Sequence, residues 1–305
     1  MTPIIIGDLS DSHVSSVVRS LERRGQASPV VLDAPRLQRC GFSLDLDALS
    51  DAGRKVDLSD GGTGWLRRYA PSAWGTGSVA GSLESVTKRA FLSLVGSITR
   101  LGNREWLTTL DALLGGEDRL VQLEAARRAG FRIPATIVTS APTEAADRLG
   151  ANFVVKPLAG GYYWAEDGPR AVFTTELATE EALSLDFAAA PFVAQEFLHV
   201  HEHLRVVTVK DDAWVAVLST EGRPLDWRQQ DAAHFEWRPA TDSTACINAL
   251  KVAAELRIGY SSQDWVRDAN GLTFLDLNPG GQWMFLPELI STSVTEAIAR
   301  FLERG

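Results

Sequence analysis

The chain of 305 residues is long for a single hydrophobic core and favours two or three lobes. Its composition, 45% hydrophobic and 23% charged, is that of an ordinary globular protein. The formal net charge of -9 argues against general binding to nucleic acid or anionic membranes, although it allows a local basic pocket for a nucleotide.

Cys40 and Cys246 are the only cysteines, and their spacing indicates neither a disulfide nor a metal site. The apolar run at residues 4–6 is far too short for a signal peptide or a membrane span. We therefore expect a cytoplasmic protein with no nucleic-acid partner and no membrane partner.

Residues 1–102 are predicted to form an α/β lobe. A strand, an amphipathic helix and a second strand follow one another, which is typical of a parallel sheet, at residues 3–6, 11–24 and 29–33. Arg67 and Arg68 come out of a glycine-rich turn and could bind an anion, although a solvated edge is the favoured interpretation. Residues 82–101 have the spacing of a helix.

Residues 103–193 form the second predicted lobe. The pattern predicts a helical hairpin and two strands, at residues 106–130, 133–139 and 152–158. Lys156 lies at the end of an apolar strand, where burying a lysine without an anion is costly. Gly160 and Gly161 follow and would let the backbone approach a ligand closely. Taken alone, such a lysine more often extends to solvent.

Residues 194–305 form the third predicted lobe. In chain order the pattern predicts a strand, a hairpin, a helix, a second hairpin and a final helix, at residues 191–198, 204–218, 243–257, 260–278 and 293–302.

The second hairpin carries the most informative side chains. Asp276 and Asn278 share one face, because side chains alternate along a strand. In one register Asp264 lies directly opposite Asp276, and in a register one residue tighter the two are diagonal. Facing carboxylates are destabilising without a positive charge between them, and oxygen donors on a rigid hairpin suit Mg²⁺. The alternative is an edge hairpin with solvated acids.

Several motifs are distributed from about residue 60 to about residue 290: Gly64-Trp-Leu-Arg-Arg68, Val155-Lys156-Pro157-Leu158, Leu204-Arg205-Val206, Asp226-Trp227-Arg228 and Asp276-Leu-Asn278-Pro-Gly-Gly-Gln282-Trp283. Together they resemble the ATP-grasp superfamily. The chain is most similar to the ATP-grasp ligases that mature ribosomally made peptides, the microviridin or graspetide type. The Asn-Pro-x-Gly-Gln-Trp ending is the most specific part of the resemblance.

This resemblance implies an ATP-grasp fold, in which an N-terminal α/β pre-ATP-grasp lobe is followed by two lobes that clamp ATP. It also implies ATP and Mg²⁺ as cofactors, activation of a carboxylate as an acyl phosphate, and attack by an amine or hydroxyl. In graspetide enzymes these groups belong to a precursor peptide, with a leader and a core, and the products are lactams or lactones. Residues 229–238 would then contact the peptide through Phe235 and Trp237, or else pack both rings onto the core. A homodimer is also compatible with the sequence.

The resemblance gives each matching position a role. Asp264, Asp276 and Asn278 would hold Mg²⁺. Arg205 and Arg228 would stabilise the phosphate or the tetrahedral intermediate. The nucleotide would be bound by Arg119 and Lys156 at the phosphates, Gly160 and Gly161 in the lid, Gln195, Glu196, Phe197 and Leu198 in the adenine hinge, and Glu202 near the ribose.

Two positions depart from the family pattern. Arg119 stands where a lysine is usual and presents a planar fork instead of a point charge. His203 stands where an acidic residue usually contacts the ribose, and the adjacent Glu202 would face the other side of its strand. Two alternatives therefore stay open: an ATP-grasp amino-acid or peptide ligase that acts on small molecules, and a degenerate module that only binds a nucleotide or a peptide.

Overall fold

A computed structural model describes residues 1–51, 54–59, 61–70, 81–158, 162–165, 168–171, 174–178, 190–221 and 236–304. The helices in these ranges are α1 (Ser12–Arg23), α2 (Ala34–Cys40), α3 (Leu83–Arg100), α4 (Leu110–Gly116), α5 (Arg119–Arg128), α6 (Pro142–Leu149), α7 (Ser243–Glu255) and α8 (Glu288–Leu302). The strands are β1 (Ile4–Ile6), β2 (Val30–Leu32), β3 (Phe42–Leu44), β4 (Ala48–Asp51), β5 (Arg54–Asp57), β6 (Thr63–Leu66), β7 (Glu105–Trp106), β8 (Thr136–Thr139), β9 (Asn152–Pro157), β10 (Tyr162–Ala165), β11 (Gly168–Ala171), β12 (Thr175–Ala178), β13 (Phe192–Glu196), β14 (Glu202–Val209), β15 (Asp212–Ser219), β16 (Arg238–Ala240), β17 (Tyr260–Asp268) and β18 (Gly271–Asn278). Within the described part of the chain, no helix is both long enough and apolar enough to cross a membrane.

The N-terminal part of the chain builds a four-stranded parallel sheet in the order β2-β1-β6-β7. Ile5 packs with α1 and α8 on one face of this sheet. Ile4 and Ile6 pack with α2, α3 and α4 on the other face. Burial on both faces explains the unbroken apolar run of β1, and the predicted strand–helix–strand unit is confirmed.

A second sheet is antiparallel, in the order β12-β9-β13-β8, and α6 packs on it through Ala145. The predicted strands around Lys156 and Gln195 are confirmed as β9 and β13. The small sheet β3-β4-β5 and the hairpin β10-β11 were not predicted. Helix α5, which the sequence places in the second lobe, packs on a different sheet through Leu123 and Ala126.

That largest sheet is antiparallel, in the order β16-β15-β14-β17-β18. Leu204 and Val206 on β14 pack against α5 and α7, whereas Val207 and Val209 pack against α8. Arg205 shares the α8 face with these valines, because side chains alternate along the strand. This face therefore changes from apolar to charged toward the start of β14. The two hairpins predicted at residues 204–218 and 260–278 are both confirmed.

A β-bulge in the hairpin of β17 and β18 shapes the charged face. Asp264 pairs with Asp276, whereas the next residue, Trp265, pairs with Phe274. The extra residue is therefore Leu275, and bulges of this kind redirect side chains. The direct register is confirmed for the two acids, and the tighter register holds beyond the bulge.

The loop after β18 is fixed to the N-terminal sheet by aromatic packing. The indole of Trp283 is fully buried and lies against the rings of Trp65, Tyr260 and His13. The Tyr260 hydroxyl donates to the carbonyl oxygen of Gly281 at 2.8 Å. The specific sequence Pro-Gly-Gly-Gln-Trp thus holds the end of the acid-bearing hairpin in place.

Gly281→Ala is expected to lower the free energy of unfolding by about 1–3 kcal/mol, because an added Cβ would lie 2.5 Å from the Cβ of Ser262. Gly280→Ala is the matched control, since its Cβ would come no closer than 3.4 Å to any neighbour, the backbone oxygen of Arg67. Urea unfolding of both variants beside the wild type measures the difference. Equal stability of the two variants would contradict this packing.

Candidate functional site

Asp264 and Asp276 face each other across the hairpin, and an arginine meets each of them. Arg205 Nη1 lies 2.5 Å from Asp264 Oδ1. Arg119 Nη2 lies 3.8 Å from Asp276 Oδ2. Arg205 is the direct partner of Asp264 on β14, and Arg119 is the first residue of α5. The two guanidinium groups supply the positive charge that facing carboxylates require.

Asn278 lies on the same face at the exposed end of β18, where it pairs with Ser262. Its Oδ1 accepts a hydrogen bond from the backbone N–H of Gly280 at 3.0 Å, which fixes the amide. Two carboxylates and one amide are hard oxygen donors, and this donor set fits Mg²⁺. Among the described residues, no three His, Cys, Asp or Glu side chains gather as metal ligands, so the set on this hairpin depends on the amide of Asn278 for its third donor.

Lys156 is buried at the end of β9, with 8% of its surface exposed. Its Nζ donates to Gln195 Oε1 at 2.5 Å, and Gln195 Nε2 donates to Thr136 Oγ1 at 3.0 Å. The expectation that such a lysine, taken alone, extends to solvent is therefore wrong for Lys156. The side chain of Gln195 positions the ammonium group, a role that the sequence did not indicate.

A cavity between the second sheet and the largest sheet joins most of these groups, and we call it the central cavity. Arg205 and Asn278 are not among its lining residues. Seven predicted residues line it: Arg119, Lys156, Gln195, Glu196, Leu198, Asp264 and Asp276. Val154, Val266 and Leu275 add apolar wall, and His203 lies beside them. The bulge explains why Leu275 and Asp276, although consecutive, both reach the cavity.

Glu202 is not among the residues that line this cavity, and its role in nucleotide binding stays a prediction. On β14 it lies on the face opposite Arg205, and its Oε2 accepts from Arg267 Nε at 3.3 Å. Arg267 in turn pairs with Asp242 at 2.5 Å. An alternating strand cannot turn Glu202 and Arg205 to the same side. Glu202 is part of a structural ion-pair cluster.

The remaining predicted residues have different outcomes. Phe197 lies beside the cavity, with its ring 5.2 Å from that of His199. Gly160, Gly161 and Arg228 lie outside the described residues, as does Phe235. Trp237 is buried in the core with its ring 6.3 Å from that of Phe285, so packing onto the core is confirmed for this residue.

Comparison with known proteins identifies this architecture. No protein-family model and no curated sequence matches the chain. Among solved structures, the macrocyclase MdnC from Microcystis aeruginosa MRC, bound with precursor peptide MdnA, is similar over 100% of both chains, with a TM-score of 0.81 and 18% identity. A RiPP-associated ATP-grasp ligase from Chryseobacterium gregarium, in complex with ADP and a leader and core peptide, is similar over 100% of this chain and 97% of its own, with a TM-score of 0.80 and 19% identity. The chain has the ATP-grasp fold.

Another similar solved structure is that of the ATP-grasp ligase PsnB, complexed with minimal precursor, Mg and ADP. It is similar over 99% of this chain and 98% of its own, with a TM-score of 0.76 and 19% identity. The fold implied by the sequence motifs is therefore confirmed, even though fewer than one residue in four is identical in these three pairs.

The prediction that Arg67 lies at a solvated edge is wrong. Its side chain is 1% exposed and its Nε donates to Asp11 Oδ2 at 3.2 Å. Its Nη1 donates to the carbonyl oxygens of Gly280 and Gly281, and its guanidinium lies 5.5 Å from the ring centre of Trp283. Arg67 thus anchors the loop that follows the acid-bearing hairpin in the ATP-grasp fold.

His13 makes this anchor sensitive to pH. Its Nδ1 lies 2.7 Å from Asp11 Oδ1, and its Nε2 accepts from the backbone N–H of Trp283 at 3.2 Å. Burial lowers the pKa of His13 from its ordinary value of 6.5, the charge of Arg67 lowers it further, and Asp11 opposes both. The folded protein therefore binds fewer protons at His13 than the unfolded chain does, so this contribution to stability is lost as the pH falls through the ordinary pKa.

We expect the free energy of unfolding to decrease between about pH 8 and about pH 5, and to decrease less in His13→Asn, because the variant has no imidazole to protonate. Urea unfolding of both proteins across this range measures the two slopes. Parallel slopes would contradict a buried neutral His13.

Two further features of the site were not predicted from the sequence. The bulge at Leu275 has no local signature, since leucine fits a regular strand. Gln122 on α5 is buried, and its side chain bonds both the N–H and the carbonyl oxygen of Leu277, at 2.9 and 2.6 Å. A glutamine among the apolar residues of α5 was the available signal, because a buried amide needs partners.

Proposed function

We propose that this protein is an ATP-dependent, ADP-forming ligase that crosslinks a ribosomal precursor peptide. It activates side-chain carboxylates of the peptide as acyl phosphates and joins them to amine or hydroxyl side chains as amides or esters. One observation carries the proposal: beside the paired acids, the buried Nε atoms of Arg119 and Arg205 have no acceptor among the described residues. Buried guanidinium donors without an acceptor favour an anionic ligand such as a phosphate.

The central cavity suits a nucleotide. Lys156 and Arg119 offer an ammonium and a guanidinium to phosphate oxygens. Val154 and Leu275 provide apolar walls for a planar base. The backbone N–H of Leu198 has no partner among the described residues and is available to the edge of the base.

Asp264, Asp276 and Asn278 would hold Mg²⁺, and their oxygen donors fit this ion. When bound, Mg²⁺ would neutralise charge on the transferring phosphate and on the leaving diphosphate. Arg119 and Arg205 pair with the two acids, so charges of the protein itself compensate the facing carboxylates.

Arg205 would stabilise the charge that develops during transfer. Asp264 and the ring of Phe285, 5.8 Å from the guanidinium carbon, hold its side chain in place. Its Nε is left for an oxygen that becomes negative, on the phosphate or on the tetrahedral carbon. A substrate carboxylate oxygen attacks the γ-phosphorus and ADP leaves. The amine or hydroxyl then attacks the acyl carbon, loses its proton, and phosphate leaves.

A peptide is the proposed substrate because structures with this fold over their whole length carry one. MdnC is bound with its precursor, and PsnB is complexed with minimal precursor, Mg and ADP. We further propose that the lobes of residues 103–193 and 194–305 close around the nucleotide. A cytoplasmic location, where ATP is abundant, is proposed with them, and the free thiols of Cys40 and Cys246 agree with a reducing compartment.

Mg²⁺-dependent ADP release tests the proposal against its two alternatives. Release that requires a peptide encoded near the gene supports the crosslinking ligase. Release with free amino acids and no peptide would replace it by a small-molecule ligase. Nucleotide binding without release under either condition would replace it by a binding module.

A further inference from the structure

A second cavity lies at the carboxyl ends of the parallel strands β1, β2 and β6, and we call it the N-terminal cavity. Asp8 follows β1, Asp33 follows β2, and Arg67 and Arg68 follow β6, and all four line it. Gln282, from the loop after β18, closes the opposite wall. Ligands of open α/β sheets bind in crevices at this edge.

The strongest sign of a ligand is the guanidinium of Arg67. Its Nε and Nη1 are engaged by Asp11 and by the carbonyl oxygens of Gly280 and Gly281. Its Nη2 is buried and has no hydrogen-bond acceptor among the described residues. The Nε of Arg68 is also buried without a hydrogen bond, and Asp11 Oδ2 lies 3.7 Å from it. A buried charged donor without an acceptor is unfavourable, so an acceptor from a ligand would stabilise it.

Charge favours an anion at this end of the cavity. Two guanidinium groups, those of Arg67 and Arg68, face the single carboxylate of Asp11, at 3.2 and 3.7 Å. Burial keeps the neighbouring His13 from adding charge, since it lowers the pKa of the imidazole. At the arginine end two guanidinium groups therefore share one carboxylate, whereas Asp8, Asp33 and Arg39 line the rest of the cavity.

The acids across the cavity are occupied by the backbone. Asp8 accepts from the N–H of Ser10 at 2.8 Å, and Asp33 accepts from the N–H of Arg36 at 2.6 Å. These carboxylates terminate turns of the chain and cap α2. The cationic side chains that a ligand would meet are those of Arg39, Arg67 and Arg68.

The N-terminal cavity adjoins the acid-bearing hairpin through a short chain of contacts. Arg67 Nη1 donates to Gly280, and the N–H of Gly280 donates to Asn278 Oδ1. A group bound at Arg67 would lie next to the loop that follows the proposed metal ligand Asn278.

We propose that the N-terminal cavity is a carboxylate-binding site, in which Arg67 Nη2 and Arg68 donate to a carboxylate of the substrate. This inference rests on the proposed function, because it assigns the substrate carboxylate a place. The carboxylate comes either from an acidic side chain of the peptide or from a free amino acid, and the experiment separates the two.

Ligand-detected NMR titration tests the site with N-acetyl-L-glutamate α-amide, which has only a side-chain carboxylate, and with the neutral N-acetyl-L-glutamine amide. We expect the first to bind and the second not to bind. Arg68→Gln is expected to weaken binding of the carboxylate probe roughly tenfold, the loss of one charged hydrogen bond. L-Glutamate as a third probe identifies the source, since tighter binding than the side-chain probe would assign the site to a free amino acid.

Arg19→Gln is the matched control, because Arg19 is an exposed arginine of α1 that does not line the cavity. Arg67→Lys, which keeps the charge and removes Nη2, is a second test if it melts like the wild type. Equal binding of the carboxylate and neutral probes, or equal affinity in Arg68→Gln and Arg19→Gln, would overturn the site. The ADP affinity of the same samples separates the proposed carboxylate site from the proposed function. A variant that loses probe binding but binds ADP like the wild type supports a distinct carboxylate site. If no sample bound ADP, only the proposed function would be rejected.

Discussion

Asp276→Ala combined with Asn278→Ala is expected to reduce peptide-dependent ADP release roughly a thousandfold, since a metal clamp contributes several kcal/mol at about 1.4 kcal/mol per factor of ten. The change removes two of the three oxygen donors on the hairpin face while leaving Asp264 paired with Arg205. Single-turnover measurements at increasing Mg²⁺ concentration check it, and the residual activity should require much more Mg²⁺.

Asp211→Ala is the control for this double variant. Asp211 is an exposed aspartate in the turn between β14 and β15 of the same sheet, and it does not line the central cavity. Its activity should equal that of the wild type. Unchanged turnover in the double variant would exclude the hairpin as the metal site.

Arg205→Lys is expected to lower kcat roughly a hundredfold, because removing one hydrogen-bond donor to a developing oxyanion has an effect of this size. Lysine keeps the positive charge beside Asp264 but cannot pair with it and present a second fixed donor. The KM for ATP should change little, because Lys156 and Arg119 are intact. Steady-state kinetics at saturating peptide separate kcat from KM.

Arg267→Lys is a stringent comparison, because Arg267 lies on the neighbouring strand but pairs with Glu202 and Asp242 on the opposite face. We expect it to retain activity. If both lysine variants lost the same activity, the effect would come from the stability of the sheet, and the role of Arg205 in transfer would be wrong.

The hairpin of β17 and β18 could be predicted from the sequence because its information is local. A turn sequence and an alternation of period two suffice to place Asp276 and Asn278 on one face. The bulge at Leu275 could not be predicted, because leucine fits a regular strand as well. Phe274 and Leu277, on either side of it, lie in one core cluster with α5 and α7. The sequence left two registers open, and the two strands adopt one of them on each side of the bulge.

Arg67 shows why other parts of the site were not predictable. Two adjacent arginines after a strand are usually solvated, and nothing near them in the sequence indicates burial. The environment of Arg67 is set by Gly281, 214 positions further along the chain, and by Asp11, the N-cap of α1. The roles of Lys156 and Arg119 likewise came from resemblance to a family, since their convergence on one cavity is a property of the fold.

Intact-mass and tandem mass spectrometry of the peptides encoded near the gene tests the central claim most directly. Each peptide is incubated with the protein, ATP and Mg²⁺. Our account predicts the loss of one water per crosslink, with fragmentation suppressed inside the ring between an acidic residue and an amine- or hydroxyl-bearing residue. A gain of one amino-acid residue in mass, or an unchanged peptide while nucleotide is bound, would contradict it.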